Sequence, residues 1–152
     1  MSHNERATLK VSTKHKSTAK AAKVTKVGDR SPDQLVEVVQ GGLKFDELQA
    51  LRLDLGLPLD QLAEKLGIAR ATLHRRKASG RLAPDESDRV IRFARLFRQA
   101  DEVFGGAVEA RQWLAFPQYG LGGAVPLDYA RTEVGAREVE SLLGRIEYGV
   151  YS

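Results

Sequence analysis

The sequence contains no cysteine among its 152 residues. This absence excludes disulfides, thiolate zinc sites and cysteine nucleophiles, and it suits a reducing compartment. The three histidines (His3, His15 and His74) are too scattered along the chain to indicate a metal cluster. We therefore expect neither a metal nor another cofactor.

Long apolar runs are absent as well. No stretch approaches the roughly 18 to 20 consecutive apolar residues that a membrane-spanning helix requires. The first residues also lack the apolar core of a secretory signal peptide. Together these absences predict a cytoplasmic protein with no membrane partner.

Catalytic motifs are missing too. Aspartate and glutamate are plentiful, but they fall on predicted helices, where solvated or paired faces are the usual explanation. We find no nucleophile–base pair, phosphate-binding loop or metal-ligand set. The chain is therefore predicted not to be an enzyme.

Positive charge is concentrated at the start of the chain. The protein carries a net charge of +4, but residues 1–30 alone carry +6, which leaves −2 for the remainder. Because residues 1–30 have few large apolar side chains, they are predicted to form a basic, flexible tail. Such a tail either adds non-specific affinity for DNA by counterion release, marks the chain for proteolysis, or is simply solvated.

Helix signals follow from residue 31 onwards. Ser31, Pro32 and Asp33 suit the first turn of a helix, and Gly41 and Gly42 suit its end. No segment alternates with period two for long enough to predict a strand. We predict an all-α protein with helices at about 32–41, 45–55, 59–66, 70–78, 84–104, 107–116 and 132–148, and a turn or short helix from Pro126.

The segment from Leu59 to Lys77 has the features of a helix-turn-helix. Ala63 is small where two helices would cross, and Gly67 lies at the turn, where glycine tolerates a positive φ. Four apolar residues are spaced to pack the helices together: Leu62, Leu66, Ile68 and Leu73. This segment resembles the helix-turn-helix of Xre-type repressors, although a helical hairpin without DNA function has a similar pattern.

The resemblance implies that the second helix contacts DNA. Its early residues would approach base edges, and its later ones, Arg75 to Lys77, would contact phosphates. Arg76 occupies a position that is usually apolar in this motif, so either its side chain snorkels or the helix is rotated. The predicted DNA-binding residues are Gln61, Arg70, Ala71, Thr72, His74, Arg75, Arg76 and Lys77.

A second pattern covers the C-terminal part of the chain. Its anchors are Trp113-Leu114, Pro117, Leu121-Gly122-Gly123, Pro126-Leu127-Asp128, Thr132, Gly135, Val139 and the run from Leu143 to Tyr151. These anchors resemble the toxin-binding domain of the Xre/MbcA/ParS antitoxins. The resemblance implies a helix-turn-helix domain over residues 31–83 and a helical toxin-binding domain over residues 84–152.

The family resemblance also implies a partner and a function. The chain would be the antitoxin of a type II toxin–antitoxin module, usually with a RES-domain toxin that resembles ADP-ribosyltransferases and depletes NAD. We expect the antitoxin to occlude the toxin's active site and to repress its own operon at operator DNA. The predicted toxin-binding residues are Trp113, Pro117, Leu121, Gly122, Gly123, Pro126, Asp128, Arg145, Tyr148, Gly149, Val150, Tyr151 and Ser152.

The sequence leaves three alternatives open. Trp113 is either a structural anchor or a direct contact, and the terminal tyrosines either meet the partner or fold back. The whole chain could also be a stand-alone transcriptional regulator without a toxin. A homodimer is expected for either function, because helix-turn-helix proteins generally read paired half-sites.

Overall fold

The computed structural model describes residues 30–149. The predicted basic tail and the last three residues, Val150, Tyr151 and Ser152, lie outside this range apart from Arg30. The described residues form eight α-helices and no strand, as predicted. The helices are α1 Pro32–Gly41, α2 Phe45–Leu55, α3 Leu59–Lys65, α4 Arg70–Ser79, α5 Pro84–Phe104, α6 Ala107–Ala115, α7 Pro126–Tyr129 and α8 Glu133–Glu147, with a 3-10 helix at Tyr119–Leu121.

Local capping explains where the helices begin. The Ser31 hydroxyl accepts a hydrogen bond from the Gln34 N–H, and the Gln34 side chain accepts one from the Ser31 N–H. This reciprocal pair is a capping box. At α8, the Thr132 hydroxyl accepts from the Gly135 N–H at 3.0 Å. Both caps lie at the predicted starts of their helices.

The long helix α5 is the centre of the core. It packs against α1, α2, α6 and α8, so it contacts both halves of the chain. Phe93 and Phe97 on this helix are almost completely buried. They lie in one hydrophobic cluster with Leu48 of α2 and Leu142 of α8. The two halves therefore share a core through α5.

Gly135 allows a close approach between α7 and α8. A Cβ atom at this position would collide with the backbone carbonyl of Tyr129, the last residue of α7. Glycine within a helix costs roughly 1 kcal/mol relative to alanine. The close approach of the α7 backbone explains why glycine occupies this position.

The described helices are also too short or too polar for a bilayer. Across residues 30–149, none combines the length and the apolar character needed to cross a membrane.

Candidate functional site

Helices α3 and α4 form a tight helix-turn-helix. The chain reverses at Gly67, whose φ of +74° lies in the left-handed region that glycine readily adopts. The Ile68 N–H donates to the Ala63 carbonyl at 2.8 Å, which closes the turn. The four apolar residues predicted to hold the two helices together are all buried: Leu62, Leu66, Ile68 and Leu73. Ala63, at the predicted crossing of the helices, is buried too.

The outer face of α4 is basic and accessible. Arg70, His74 and Lys77 lie along one side of the helix, next to a groove of about 270 Å³ shared with Leu59 and Asp60 of α3. The first turn of α3 presents Gln61 to solvent beside the same helix pair. Of the predicted DNA-binding residues, Gln61, Arg70, Ala71, His74, Arg75 and Lys77 are exposed, whereas Thr72 and Arg76 are partly buried.

Arg76 lies differently from the other basic residues of α4. Its guanidinium is held against the start of α5, where Nε donates to Glu86 Oε1 at 2.8 Å and Nη2 donates to Oε2 at 3.2 Å. Glu86 is only 5% exposed. The sequence places Arg76 among the phosphate contacts, but the structure uses its charge to neutralise a buried carboxylate. That pairing explains how an arginine occupies a position that is usually apolar.

Both oxygens of the Glu86 carboxylate accept hydrogen bonds. Its Oε1 also accepts the Ala83 N–H at 2.8 Å, at the start of α5. Burial raises the pKa of Glu86, but the hydrogen bonds from Arg76 and the Ala83 N–H outweigh burial and lower the pKa below its ordinary value. The ionised pair therefore ties the C-terminal half of α4 to α5.

Polar contacts join the helix-turn-helix to the second half of the chain. Lys65, at the end of α3, forms an ion pair with Asp128 of α7 at 2.8 Å. The Arg89 Nε donates to the Leu66 carbonyl in the turn at 2.7 Å. Arg92 donates to the Arg131 carbonyl at 3.2 Å, just before α8. The turn between α3 and α4 is thus connected to α5 and, through Lys65, to α7.

Trp113 on α6 is partly buried. The centroids of the Trp113 and Phe104 rings are 5.6 Å apart, and the two ring planes are tilted by 39°. The Trp113 backbone carbonyl accepts a hydrogen bond from the Gln118 side chain at 2.9 Å. These contacts support Trp113 as a structural anchor between α5, α6 and the following loop.

The other predicted toxin-binding residues divide by accessibility. Leu121 and Pro126 are buried, so they can influence a partner only through the loop that they hold in place. Tyr148 is 79% exposed, so this ring does not fold back onto the domain. The exposed members within the described range are Pro117, Gly122, Gly123, Asp128, Arg145, Tyr148 and Gly149.

Two exposed aromatic residues are missing from the sequence-based set. Phe116 is 61% exposed and Tyr119 is 94% exposed, and both lie in the loop after α6. Helical periodicity does not apply in a loop rich in glycine and proline, so it cannot distinguish buried from exposed positions there. The available signal is the presence of two aromatic residues, Phe116 and Tyr119, in a short loop rich in glycine.

Asp54 is the main buried acid outside these surfaces. It is 1% exposed, and neither carboxylate oxygen has a hydrogen-bond partner among the described residues. Burial raises its pKa to about 7, with Arg111 opposing the rise and Asp101 adding to it. The Asp54 backbone carbonyl accepts from Arg111 Nε at 2.6 Å, so this acid lies where α2 meets α6.

Metal chemistry has no support within residues 30–149. No three His, Asp or Glu side chains of that range are grouped to hold an ion. What the described residues provide is a basic helix face and a separate surface with exposed aromatics.

Two family models match the chain. The antitoxin Xre-like helix-turn-helix domain matches residues 34–95, and the antitoxin Xre/MbcA/ParS C-terminal toxin-binding domain matches residues 99–149. The two matches meet inside α5, whereas the division that we predict at 83/84 falls at the start of that helix.

Three curated proteins named Antitoxin Xre are similar to this chain. The one from Yersinia enterocolitica is 37% identical over 120 residues, which covers 78% of this chain and 81% of that protein. The one from Photorhabdus laumondii is 39% identical over 84 residues, or 55% and 57% of the two chains. The one from Pseudomonas putida is 38% identical over 68 residues, or 45% and 43%. The chain therefore belongs to the Xre antitoxin family, a regulatory family whose members are not enzymes.

Proposed function

We propose that this chain is the antitoxin of a type II pair whose toxin is a RES-domain protein that depletes NAD. Family membership supports an antitoxin that binds DNA and a toxin. The observation that carries the proposal is the combination in one chain of an exposed basic face on α4 and a match to a toxin-binding domain over residues 99–149. The RES class of the partner rests on the resemblance to Xre/MbcA/ParS antitoxins.

Neutralisation proceeds by steric occlusion of the toxin's active site. Arg145 is exposed on the last turn of α8, and Tyr148 follows at the end of that helix with 79% of its surface free. A side chain that projects from its own domain is available to enter a cleft on another protein. We place Arg145 and the residues from Tyr148 to Ser152 at the entrance of the toxin's active site.

This placement is tested by removing the chain end. Replacing Tyr148 with alanine and truncating residues 149–152 should abolish neutralisation of the toxin in cells. Val134→Ala is a matched control, because Val134 is 74% exposed on the first turn of the same helix. Full neutralisation by the truncated chain would show that the terminus has no essential part.

Repression of the operon is assigned to α4. The early residues Arg70, Ala71 and Thr72 approach base edges in the major groove, with His74 also able to donate to a base, while Arg75 and Lys77 contact phosphates. Because operators of such proteins are read as paired half-sites, the active form is a homodimer. Binding to operator DNA also places the protein in the cytoplasm.

The antitoxin role is tested by co-purification with the product of the adjacent gene. We expect a stable complex in which this chain captures a toxin. Recovery of a homodimer alone that shifts its own promoter would instead favour a stand-alone regulator.

A further inference from the structure

The loop between α6 and α7 is rigidly closed by its own hydrogen bonds. The Gln118 N–H donates to the Ala124 carbonyl at 3.0 Å, and the Gly123 N–H donates to the Gln118 carbonyl at 2.9 Å. The Gln118 side chain donates to the carbonyls of Trp113 at 2.9 Å and Phe116 at 3.2 Å. We call residues 116–124 the aromatic loop; its conformation is set before any partner binds.

The aromatic loop presents two large rings to solvent. Tyr119 is 94% exposed and Phe116 is 61% exposed. Leu121, in the same loop, is only 9% exposed, because its side chain faces the core. Leu121 and the partly buried Ala124 therefore pack the loop against the core, whereas neither ring takes part in that packing. Exposed aromatic side chains of this kind are typical of binding surfaces, because they bury a large area with few rotatable bonds.

The same region lacks charge. No charged residue occurs from Gln112 to Leu127, although 44 of the 152 residues of the chain are Lys, Arg, Asp or Glu. Charged residues are depleted, and aromatic residues enriched, at the centres of protein–protein interfaces. The combination of rigidity, exposed rings and missing charge indicates a protein partner and disfavours nucleic acid or an anionic surface.

We propose that Phe116 and Tyr119 are anchor residues that enter an apolar pocket on the toxin, a contact separate from the chain end at Tyr148. The occupant is assigned as the toxin because the aromatic loop lies inside the match to a toxin-binding domain at residues 99–149. This inference rests on the proposed antitoxin function and adds to it the residues that provide affinity. Pre-organisation of the loop lowers the entropy cost of docking.

The test measures the affinity of the full-length chain for the purified toxin by calorimetry. Phe116→Ser and Tyr119→Ser, combined, should weaken binding at least tenfold, whereas Tyr119→Phe should retain most of it because the ring remains. Val36→Ser is the matched control: Val36 is 53% exposed on α1, outside the toxin-binding match. Thermal melting of each variant should be unchanged, because the replaced side chains are exposed.

The possible results distinguish the anchor role of the two rings from the proposed antitoxin function. If the unmodified chain binds the toxin and the double serine variant binds equally well, the anchor role is overturned while the antitoxin function stands. If the double variant instead converts a free dimer to monomers with unchanged toxin affinity, the rings belong to an interface between two copies, and the proposal is overturned. If the unmodified chain does not bind the toxin, both the function and the inference fail.

Discussion

At the scale of single residues, two neighbouring arginines of α4 have different surroundings. Arg75 is exposed, and its Nη2 lies 3.5 Å from the Thr72 hydroxyl of the same helix. Arg76 is paired with the buried Glu86 of α5. The sequence predicts both as phosphate contacts, and it distinguishes Arg76 only by its place at a position that is usually apolar in this motif. The partner that separates their roles lies ten residues further along the chain.

Arg75→Ala and Arg76→Ala should therefore separate affinity from stability. Arg75→Ala should weaken operator binding and reduce the slope of log affinity against log salt by about 1, with stability almost unchanged. Arg76→Ala should lower the free energy of unfolding, because it leaves Glu86 buried without its cation. Gel shifts over a salt series and urea unfolding measure the two effects. Equal losses of stability in both variants would contradict this division.

Asp54 gives the protein a pH-dependent stability. Burial raises the pKa of this carboxyl to about 7 in the folded chain, from an ordinary value of 3.8. The folded state thus binds the proton more tightly than the unfolded state does. Protonation of Asp54 therefore stabilises the folded state relative to the state with an ionised carboxylate. This stabilisation is fully present below about pH 4 and is lost as pH rises through 7, with an upper bound of about 4 kcal/mol.

Asp54→Asn should remove much of this dependence. The neutral amide cannot ionise, so the variant should be more stable than the parent at pH 8 and should gain little or nothing at pH 4. Urea unfolding at both pH values measures the difference, and Glu138→Gln on the exposed face of α8 is the control. Parallel stability–pH curves for Asp54→Asn and the parent would refute the raised pKa.

At the scale of elements, the junction of α7 and α8 depends on a glycine. Gly135→Ala would place a methyl group against the Tyr129 carbonyl, and backbone cannot yield as a flexible side chain can. Overpacking of this kind costs roughly 1 to 3 kcal/mol. Gly144→Ala, on the same helix with open space around it, should instead gain up to about 1 kcal/mol from helix propensity.

Thermal melting of the two alanine variants tests this junction. The midpoint should fall for Gly135→Ala and stay level or rise for Gly144→Ala. A fall of similar size in both would mean that helical glycine itself, and not the contact with Tyr129, determines the outcome.

The helices were predictable to within about two residues because their ends carry local signals. Ser31 and Thr132 lie at helix starts in the structure as predicted, and Gly67 takes the positive φ that the turn requires. The loop after α6 was less predictable. In this loop, the hydrogen bonds of Gln118 set the backbone conformation that buries Leu121 and exposes Tyr119. Such hydrogen bonds cannot be predicted from a sequence pattern.

At the scale of the whole molecule, one helix, α5, packs against both halves of the chain to which the two functions are assigned. α5 packs against α2 of the first half and against α6 and α8 of the second. Lys65 and Asp128 pair across the halves at 2.8 Å. The sequence predicts two domains with a division at the start of α5, but contacts between distant segments are not visible in local patterns.

We propose that this chain silences a partner that depletes NAD. The most direct measurement is cellular NAD after induction of the adjacent gene, with and without this protein. We predict that NAD falls when the partner is expressed alone and stays at its normal level when the full chain is co-expressed. An equal fall of NAD in both cultures, with both proteins present at comparable levels, would show that this chain does not silence the partner.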